Sequence, residues 1–291
     1  IDPQRILFTP NFAHKSEYQR AFEYGVIVTI DNLHPLTQWP DVFSGRRVLL
    51  RIDPGFGLGH HQYVETGGTH SKFGIPVNDL DRVRVLTEQY GIKVIGLHAH
   101  SGSGIMKAEN WSNLADKLTH LVSWFPEVEI LDLGGGLGVP EKSHQQSLDL
   151  QALNASLAAV KQKYPQFQLW LEPGRYLTAQ SGVILTRVTQ MKTKGLLQYI
   201  GVDAGMHTLI RPALYGAYHA VVNLSKLDQP AAYLAHIVGP ICESGDVLAR
   251  SRWMPKTEEG DVLLIANTGA YGACMSMSYN LRPKAEELMF L

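Results

Sequence analysis

The stretch VIGLHAHSGSG, residues 94–104, decides the fold. Its first half is an apolar, β-branched run, and its second half dissolves into serine and glycine. A strand that exits into such residues offers backbone N–H groups and hydroxyls where a ligand can approach closely. His98 and His100 lie two apart, so on a strand they face the same side. Two further runs end the same way: VEILDLGGGLGV at 128–139 leads into three consecutive glycines, and LWLEPGRY at 169–176 turns on Pro-Gly.

Working outward, strand-like runs occupy 5–9, 26–30, 47–53, 93–98, 129–133 and 168–172, with amphipathic helical patterns at 16–24, 79–90, 108–125 and 148–164. Strands separated by roughly 20 to 45 residues suit repeated β-α units and a parallel sheet. A doubly wound sheet gathers its site at one switch point, whereas chemically loaded exits after several strands favour a barrel. The expectation is an α/β fold: a (β/α)8 TIM-type barrel over 1–180, short of about its first two strands, since six are counted where eight are needed. From about Ser181 the texture changes to strands at 182–188, 198–203, 218–223, 232–238 and 261–266, expected to form a mainly antiparallel β domain over 181–291.

The chain has 291 residues, of which 45% are hydrophobic and 18% charged, with a formal net charge of −1. That balance gives no electrostatic reason to expect nucleic acid or an anionic membrane as partner. No apolar run approaches the roughly 18–20 residues that span a bilayer, and no signal-peptide pattern is present. The first residues are Ile-Asp-Pro rather than Met, so the true start is expected upstream. Two cysteines, Cys242 and Cys274, are too few for a disulfide framework and fit a cytoplasmic, reducing setting.

The motifs share one chemistry. Ser101 to Gly104 and Gly134 to Gly136 form two turns able to cradle a phosphate. Taken singly, each is equally an ordinary turn, and neither matches the GxGxxG or P-loop fingerprint. Glu172 ends an apolar strand, where a carboxylate needs a cation or donor; a structural pair with Arg175 is one reading, a protonated ring nitrogen the other. A phosphorylated heteroaromatic cofactor satisfies all of them, and pyridoxal 5'-phosphate is the economical choice, because its protonated ring stabilises the charge left by lost carbon dioxide.

The order and wording of HSKFG (70–74), HAHSGSG (98–104), GGGLG (134–138), EPGR (172–175), VDAGMHTLIRPALYGAYH (202–219), GPICESGD (239–246) and GAYGACMSMSYN (269–280) resemble the fold-type III decarboxylases. The likeness covers nearly the whole chain and is strongest to the diaminopimelate decarboxylases, particularly the form fused to an aspartate kinase in some bacteria, although nothing kinase-like is present here. It implies that His100 stacks on the pyridine ring, and that Ser103, Gly134, Gly135, Gly136 and Tyr271 hold the phosphate. Glu172 meets the ring nitrogen, with Gly174 and Arg175 nearby. Arg175, Arg211, Tyr215, Glu243 and Tyr271 match substrate positions, and Cys242 matches the residue that returns a proton after decarboxylation. It also implies a small amino-acid substrate, lysine biosynthesis, and a homodimer with shared active sites in which Lys72 and Asp246 bridge the subunits. An Arg at 211 suits a distal carboxylate, and Glu243 a distal ammonium. Cys242, in a polar turn, is expected to be the reactive thiol and Cys274, among Ala and Met, to pack.

One element of the family pattern has no counterpart. These enzymes hold the cofactor covalently on a lysine in a motif like Tyr-Ala-x-Lys-Ala, and no such motif occurs in the 291 residues. Lys15 sits in a helix start, and Lys107, Lys117, Lys161 and Lys163 are expected on solvated helix faces. With the strand deficit, this leads to the expectation that about sixty to seventy residues precede Ile1, two β-α units of roughly thirty residues each, and that the chain alone does not decarboxylate. A dimerising paralogue without activity, or a relative acting on arginine or carboxynorspermidine, are the other readings.

Overall fold

Six short strands line up in the order in which they occur along the chain, all parallel. The computed structural model describes residues 1–55, 58–59 and 71–290; His70 of the 70–74 motif lies outside them. The strands are β1 (Leu7–Phe8), β2 (Ile27–Ile30), β3 (Arg47–Arg51), β4 (Leu58–Gly59), β5 (Lys93–His98), β6 (Gly102–Ser103), β7 (Ile130–Asp132) and β8 (Gln168–Trp170). β4 and β6 pair with each other, and the other six form one sheet in the order β1-β2-β3-β5-β7-β8. No strand order reverses, so the sheet has no switch point, and the doubly wound alternative is excluded.

Between the strands run α1 (Lys15–Glu23), α2 (Leu33–Gln38), α3 (Pro40–Phe43), α4 (Leu80–Gln89), α5 (Glu109–Leu121) and α6 (Leu150–Lys163). Each starts or packs for local reasons. His14 and Glu17 close a capping box on α1, and the Asn32 side chain accepts the His34 N–H at the start of α2. α5 buries Trp111, Leu114, Ala115 and Leu118, the spacing of one helical face. The short helices α2 and α3 were not expected from the sequence, and Lys107 lies in the loop before α5 rather than on it.

One face of the sheet carries a layer of apolar side chains: Leu49, Ile95 and Ile130 pack with Leu7, Ile27 and Trp170, one from each of the six strands. Such a layer is how a barrel interior fills. β5 shifts register here, pairing Val94 with Val48 and then Gly96 with Leu49. Gly96 also pairs with Ile130, and a methyl group on it would fall 2.8 Å from Leu49 Cγ and 3.0 Å from Ile130 Cβ. The layer is full without a side chain at this position.

The chain divides into two compact units, Ile1–Gly138 with Ser147–Pro173 and Val139–Gln146 with Gly174–Leu291. The second contains α7 (Gly174–Thr178), β9 (Ile184–Lys194), β10 (Leu197–Val202), α8 (Arg211–Tyr215), β11 (Val221–Asn223), β12 (Tyr233–Val238), β13 (Val247–Met254) and β14 (Val262–Ile265). Its sheet runs β11-β14-β9-β10-β12-β13, antiparallel except for the β10–β12 pair. Val188, Ile200, Val202, Ile237, Leu248, Leu263 and Ile265 form its buried core. Among the described residues no helix is long and apolar enough to cross a membrane.

The filled layer at Gly96 predicts that Gly96→Val destabilises by about 1–3 kcal/mol through overpacking. Val85→Ala, on the exposed face of α4, should stay within about 0.5 kcal/mol. Urea denaturation midpoints of the two variants check the contrast.

Candidate active site

Two residues past Leu7, Ile27, Leu49, Ile130 and Trp170 of the apolar layer, and past Gly96 on β5, the strands carry polar side chains. Leu7 is followed by Thr9, Ile27 by Thr29 and Asp31, Leu49 by Arg51, Gly96 by His98 and His100, Ile130 by Asp132, and Trp170 by Glu172. Arg51 pairs in register with His98, and His98 with Asp132. Asp31, Arg51, His98 and Asp132 are all buried, His98 at 1% and Asp132 at 0% exposure. A polar layer therefore caps the apolar one at the carboxyl ends of the strands, where barrel sites form.

Glu172 stands at the rim of this layer with its side chain 36% exposed, and its Oε2 lies 3.4 Å from His98 Nε2. The Thr9 hydroxyl donates to Oε1 at 3.4 Å. Burial pushes Glu172 up, but the His98 contact and the charges of His98, His100 and Arg51 outweigh it and hold the carboxyl below the ordinary range. Asp132 goes the other way: burial raises it, and Glu172 adds to the rise against the pull of His98 and the Gly134 N–H. Burial, with the neighbouring His98 and Arg51, pushes the His100 imidazole down to about 4.

The triple glycine holds these side chains in place. Gly134 N–H donates to Asp132 Oδ1 at 3.0 Å and Gly135 N–H to His100 Nδ1 at 3.1 Å. The Gly134 carbonyl accepts the Glu172 N–H, and the Gly135 carbonyl accepts Trp111 Nε1 at 3.1 Å. Gly134 and Gly136 have φ of +63° and +87°, and a side chain on Gly135 would run into the Glu172 carbonyl. Two of the N–H groups expected to face a phosphate thus serve Asp132 and His100. Ser103 is half-buried in β6.

In the second unit, Arg175 Nη2 donates to Glu141 Oε1 at 2.6 Å, and Arg211 Nη2 lies 3.9 Å from the same oxygen. Arg211 Nη1 donates to His219 Nε2 at 3.0 Å, while His219 Nδ1 donates to the Ala266 carbonyl at 2.8 Å. That tautomer is neutral, and burial keeps the imidazole below its ordinary value. Arg211 is 4% exposed, which excludes a surface ion pair. Two guanidiniums sharing one carboxylate leave a positive group suited to an anion. Gly174 and Arg175 begin α7, half-buried Tyr215 ends α8, and Tyr271 is 46% exposed with φ of +67°, a strained setting for an aromatic residue.

Cys242 and Glu243 lie on an exposed turn, where Asn280 Nδ2 donates to Cys242 Sγ at 3.0 Å and the Tyr279 hydroxyl to Glu243 Oε1 at 2.5 Å. Cys274 is exposed as well, in a 3-10 turn, so the expectation that it packs is corrected: the turn at Ala273–Met275 points it to solvent. Asp246 is buried and accepts N–H bonds from Met206 and Ile241. The Lys72 ammonium lies over the Phe73 ring at 5.3 Å. Lys15 pairs with Asp41, Lys163 with Asp116, and Lys161 with the Pro165 and Phe167 carbonyls. Arg51, His98, Asp132, Glu141 and His219 carry no role legible in the sequence, although His98, Asp132 and His219 stand inside quoted motifs; each acquires significance through partners distant in the chain.

The donor set fits pyridoxal phosphate: an ionised carboxylate for a ring N–H, an imidazole fixed by a backbone N–H, and glycines that admit close approach. Residues 1–179 match the family model described as the pyridoxal binding domain of pyridoxal-dependent decarboxylases. The chain is 36% identical over 302 residues to the diaminopimelate decarboxylase of Methanothermobacter thermautotrophicus, covering 99% of this chain and 70% of that protein. A crystal structure of diaminopimelate decarboxylase is similar at a TM-score of 0.90 and 33% identity, covering 99% of this chain and 72% of the other. The Helicobacter pylori enzyme complexed with L-lysine is similar at 0.88 and 26%, covering 98% and 73%.

The His100 environment sets a pH dependence. An unfolded histidine takes up its proton near 6.5 and the folded one only near 4, so the unfolded state binds more protons between those values and stability falls as pH falls. The slope due to His100 approaches about 1.4 kcal/mol per pH unit. His100→Gln should flatten the loss of unfolding free energy between pH 6.5 and 4, measured by urea denaturation. His207 and His219, also lowered by burial, should leave a residual slope.

Proposed function

The chain belongs to the pyridoxal-dependent decarboxylases, among the diaminopimelate decarboxylases, and from that premise we propose that it converts meso-2,6-diaminopimelate to L-lysine and carbon dioxide, the last step of lysine biosynthesis. The observation that carries the substrate is the largely buried group Arg175–Glu141–Arg211, whose surplus positive charge suits a second carboxylate. A simple diamino acid offers an ammonium there instead, and a diamine-forming decarboxylase has no use for the arginine.

Pyridoxal phosphate, when bound, supplies the electron sink for the bond pair left by carbon dioxide. His100, its Nδ1 engaged by Gly135, would meet the ring as a neutral imidazole. Glu172 would accept from the ring nitrogen. Ser103 and the close-approach turn at Gly134, Gly135 and Gly136 would receive the phosphate. Arg211, oriented by His219, takes the distal carboxylate, Glu243 the distal ammonium, and Tyr215 and Tyr271 flank them. No residue of this chain is assigned the role of the family's cofactor-holding lysine.

Cys242 returns the proton from Sγ to the carbon that lost its carboxylate. Exposure of the Cys242–Glu243 turn supports a homodimer in which this turn completes a neighbour's site, and a thiol kept reduced for proton transfer suits the cytoplasm. The Lys72–Asp246 subunit bridge has to accommodate an Asp246 whose oxygens already accept two backbone N–H groups. The aspartate kinase fusion is the family form whose wording the chain most resembles.

Carbon dioxide release by the full-length protein from meso-diaminopimelate, L-arginine, L-ornithine and carboxynorspermidine tests the proposal. Release fastest from meso-diaminopimelate is expected, with KM raised about tenfold or more in Arg211→Leu; faster release from any of the others overturns it. Cys242→Ala should lower kcat by about 10²- to 10⁴-fold while cofactor absorbance is retained, and unchanged turnover would remove the thiol from the mechanism.

A further inference from the structure

Behind Glu172 the polar layer contains more unsatisfied chemistry than the cofactor's ring nitrogen accounts for. His98 and Asp132 are register partners on β5 and β7, sealed from solvent, yet both imidazole nitrogens of His98 and Oδ2 of Asp132 lack a hydrogen bond. Each such atom carries a desolvation penalty if left alone. They are not dispersed: His98, Asp132 and Glu172 each offer an atom within 4.8 Å of the others, and the contact that reaches outward is His98 Nε2 to Glu172 Oε2.

The charges facing this group define what is missing. Asp31, following β2, receives the Phe12 N–H and the Tyr18 hydroxyl. Arg51, on β3, donates to Asn11 Oδ1 at 2.6 Å and lies over the Phe73 ring at 4.5 Å. His100 follows β5 with Nδ1 engaged by Gly135, and Glu172 follows β8. Three carboxylates thus share this layer with the Arg51 guanidinium, Asp31 and Asp132 buried and Glu172 at the rim. A proton retained between Asp132 and His98 reduces the excess negative charge and supplies the donors that the orphaned atoms lack.

We propose that Asp132 and His98 are positioning residues that share one proton behind Glu172, with His98 Nε2–H directed at Glu172 Oε2, so that Glu172 is held as an oriented anion for the cofactor's ring nitrogen. This rests on the reading of the chain as a pyridoxal-phosphate protein. The opposite shifts of the two carboxyls, Asp132 raised by burial and Glu172 lowered by its contact with His98, agree in direction with a proton held on the inner pair rather than on the outer acid.

The test uses two probes, pyridoxal phosphate and its 1-deaza analogue, in which carbon replaces the ring nitrogen. Equilibrium dialysis of purified protein should show His98→Leu weakening pyridoxal phosphate by about tenfold or more and the deaza analogue by less than about threefold. His98→Gln, which can still donate to Glu172, should stay within about threefold for both. Equal weakening of both probes by His98→Leu would mean packing only and overturn the proposal, as would unchanged binding of pyridoxal phosphate. Should His98→Leu not fold, nitrogen-15 histidine NMR of the unsubstituted protein decides. A proton on His98 Nε2 whose signal moves in Asp132→Asn supports the shared proton, and an unprotonated Nε2 overturns it. Absence of saturable pyridoxal phosphate binding by the unsubstituted protein overturns the functional reading and this inference together.

Discussion

A parallel sheet filled on its inner face by an apolar layer leaves no water for whatever its strand ends carry. Here those ends carry Asp31, Arg51, His98 and Asp132, and the rest of the first unit is arranged around that constraint. Replacing the row by apolar side chains would pack as well and remove the desolvation cost. Its presence, with atoms still unpaired, is the reverse of what stability alone favours, and it marks the level where the protein is built to meet something polar. Gly96, one step below, shows the same constraint from the apolar side, since the register shift in β5 that brings His98 level with Arg51 and Asp132 leaves no room for a side chain beneath it.

The triple-glycine turn transmits the arrangement between strands. Its N–H groups bind Asp132 and His100, and its carbonyls bind the Glu172 N–H and the Trp111 indole. One turn after β7 therefore fixes side chains that follow β5 and β8, and anchors all three to α5. Left-handed φ at Gly134 and Gly136 aims these groups in alternating directions, and only glycine adopts that path without strain. The loop is as much a scaffold for the acid and the imidazole as a surface for a ligand.

Much of this was legible in the sequence where local pattern and tertiary role coincide. The run at 93–98 is largely apolar and β-branched and gives way to serine and glycine by 101–104, and it is a strand over those residues. β13 escaped because VLARSRWM is an edge strand: Arg250, Ser251 and Arg252 interrupt the alternation, and Ser251, with φ of +50°, breaks the register and donates its N–H to His236. β9 runs on to Lys194 as an exposed edge beside β10, where residues 189–194 need no apolar alternation. At the site, motifs showed glycines, histidines and Glu172, whose residue types are unusual where they stand. Asp132, Glu141 and His219 did not stand out, because an aspartate, a glutamate or a histidine is unremarkable until a partner tens of residues away gives it meaning.

The two units solve opposite electrostatic problems, and the opposition is informative. In the first, Asp31 and Glu172 act on Arg51 while Asp132 lies behind them, an excess of carboxylates that a cationic ring N–H can relieve. In the second, two guanidiniums share Glu141, with neutral His219 adding a contact but no charge. Burial lowers Arg211, and Arg175 lowers it further, so the cluster bears a cost that an incoming carboxylate or phosphate would offset. An amino-acid decarboxylase that must recognise a cationic ring on its cofactor and an anionic group remote from the reacting bond needs both kinds of imbalance. A protein selected only for stability, or for dimerisation alone, has reason to remove each of them.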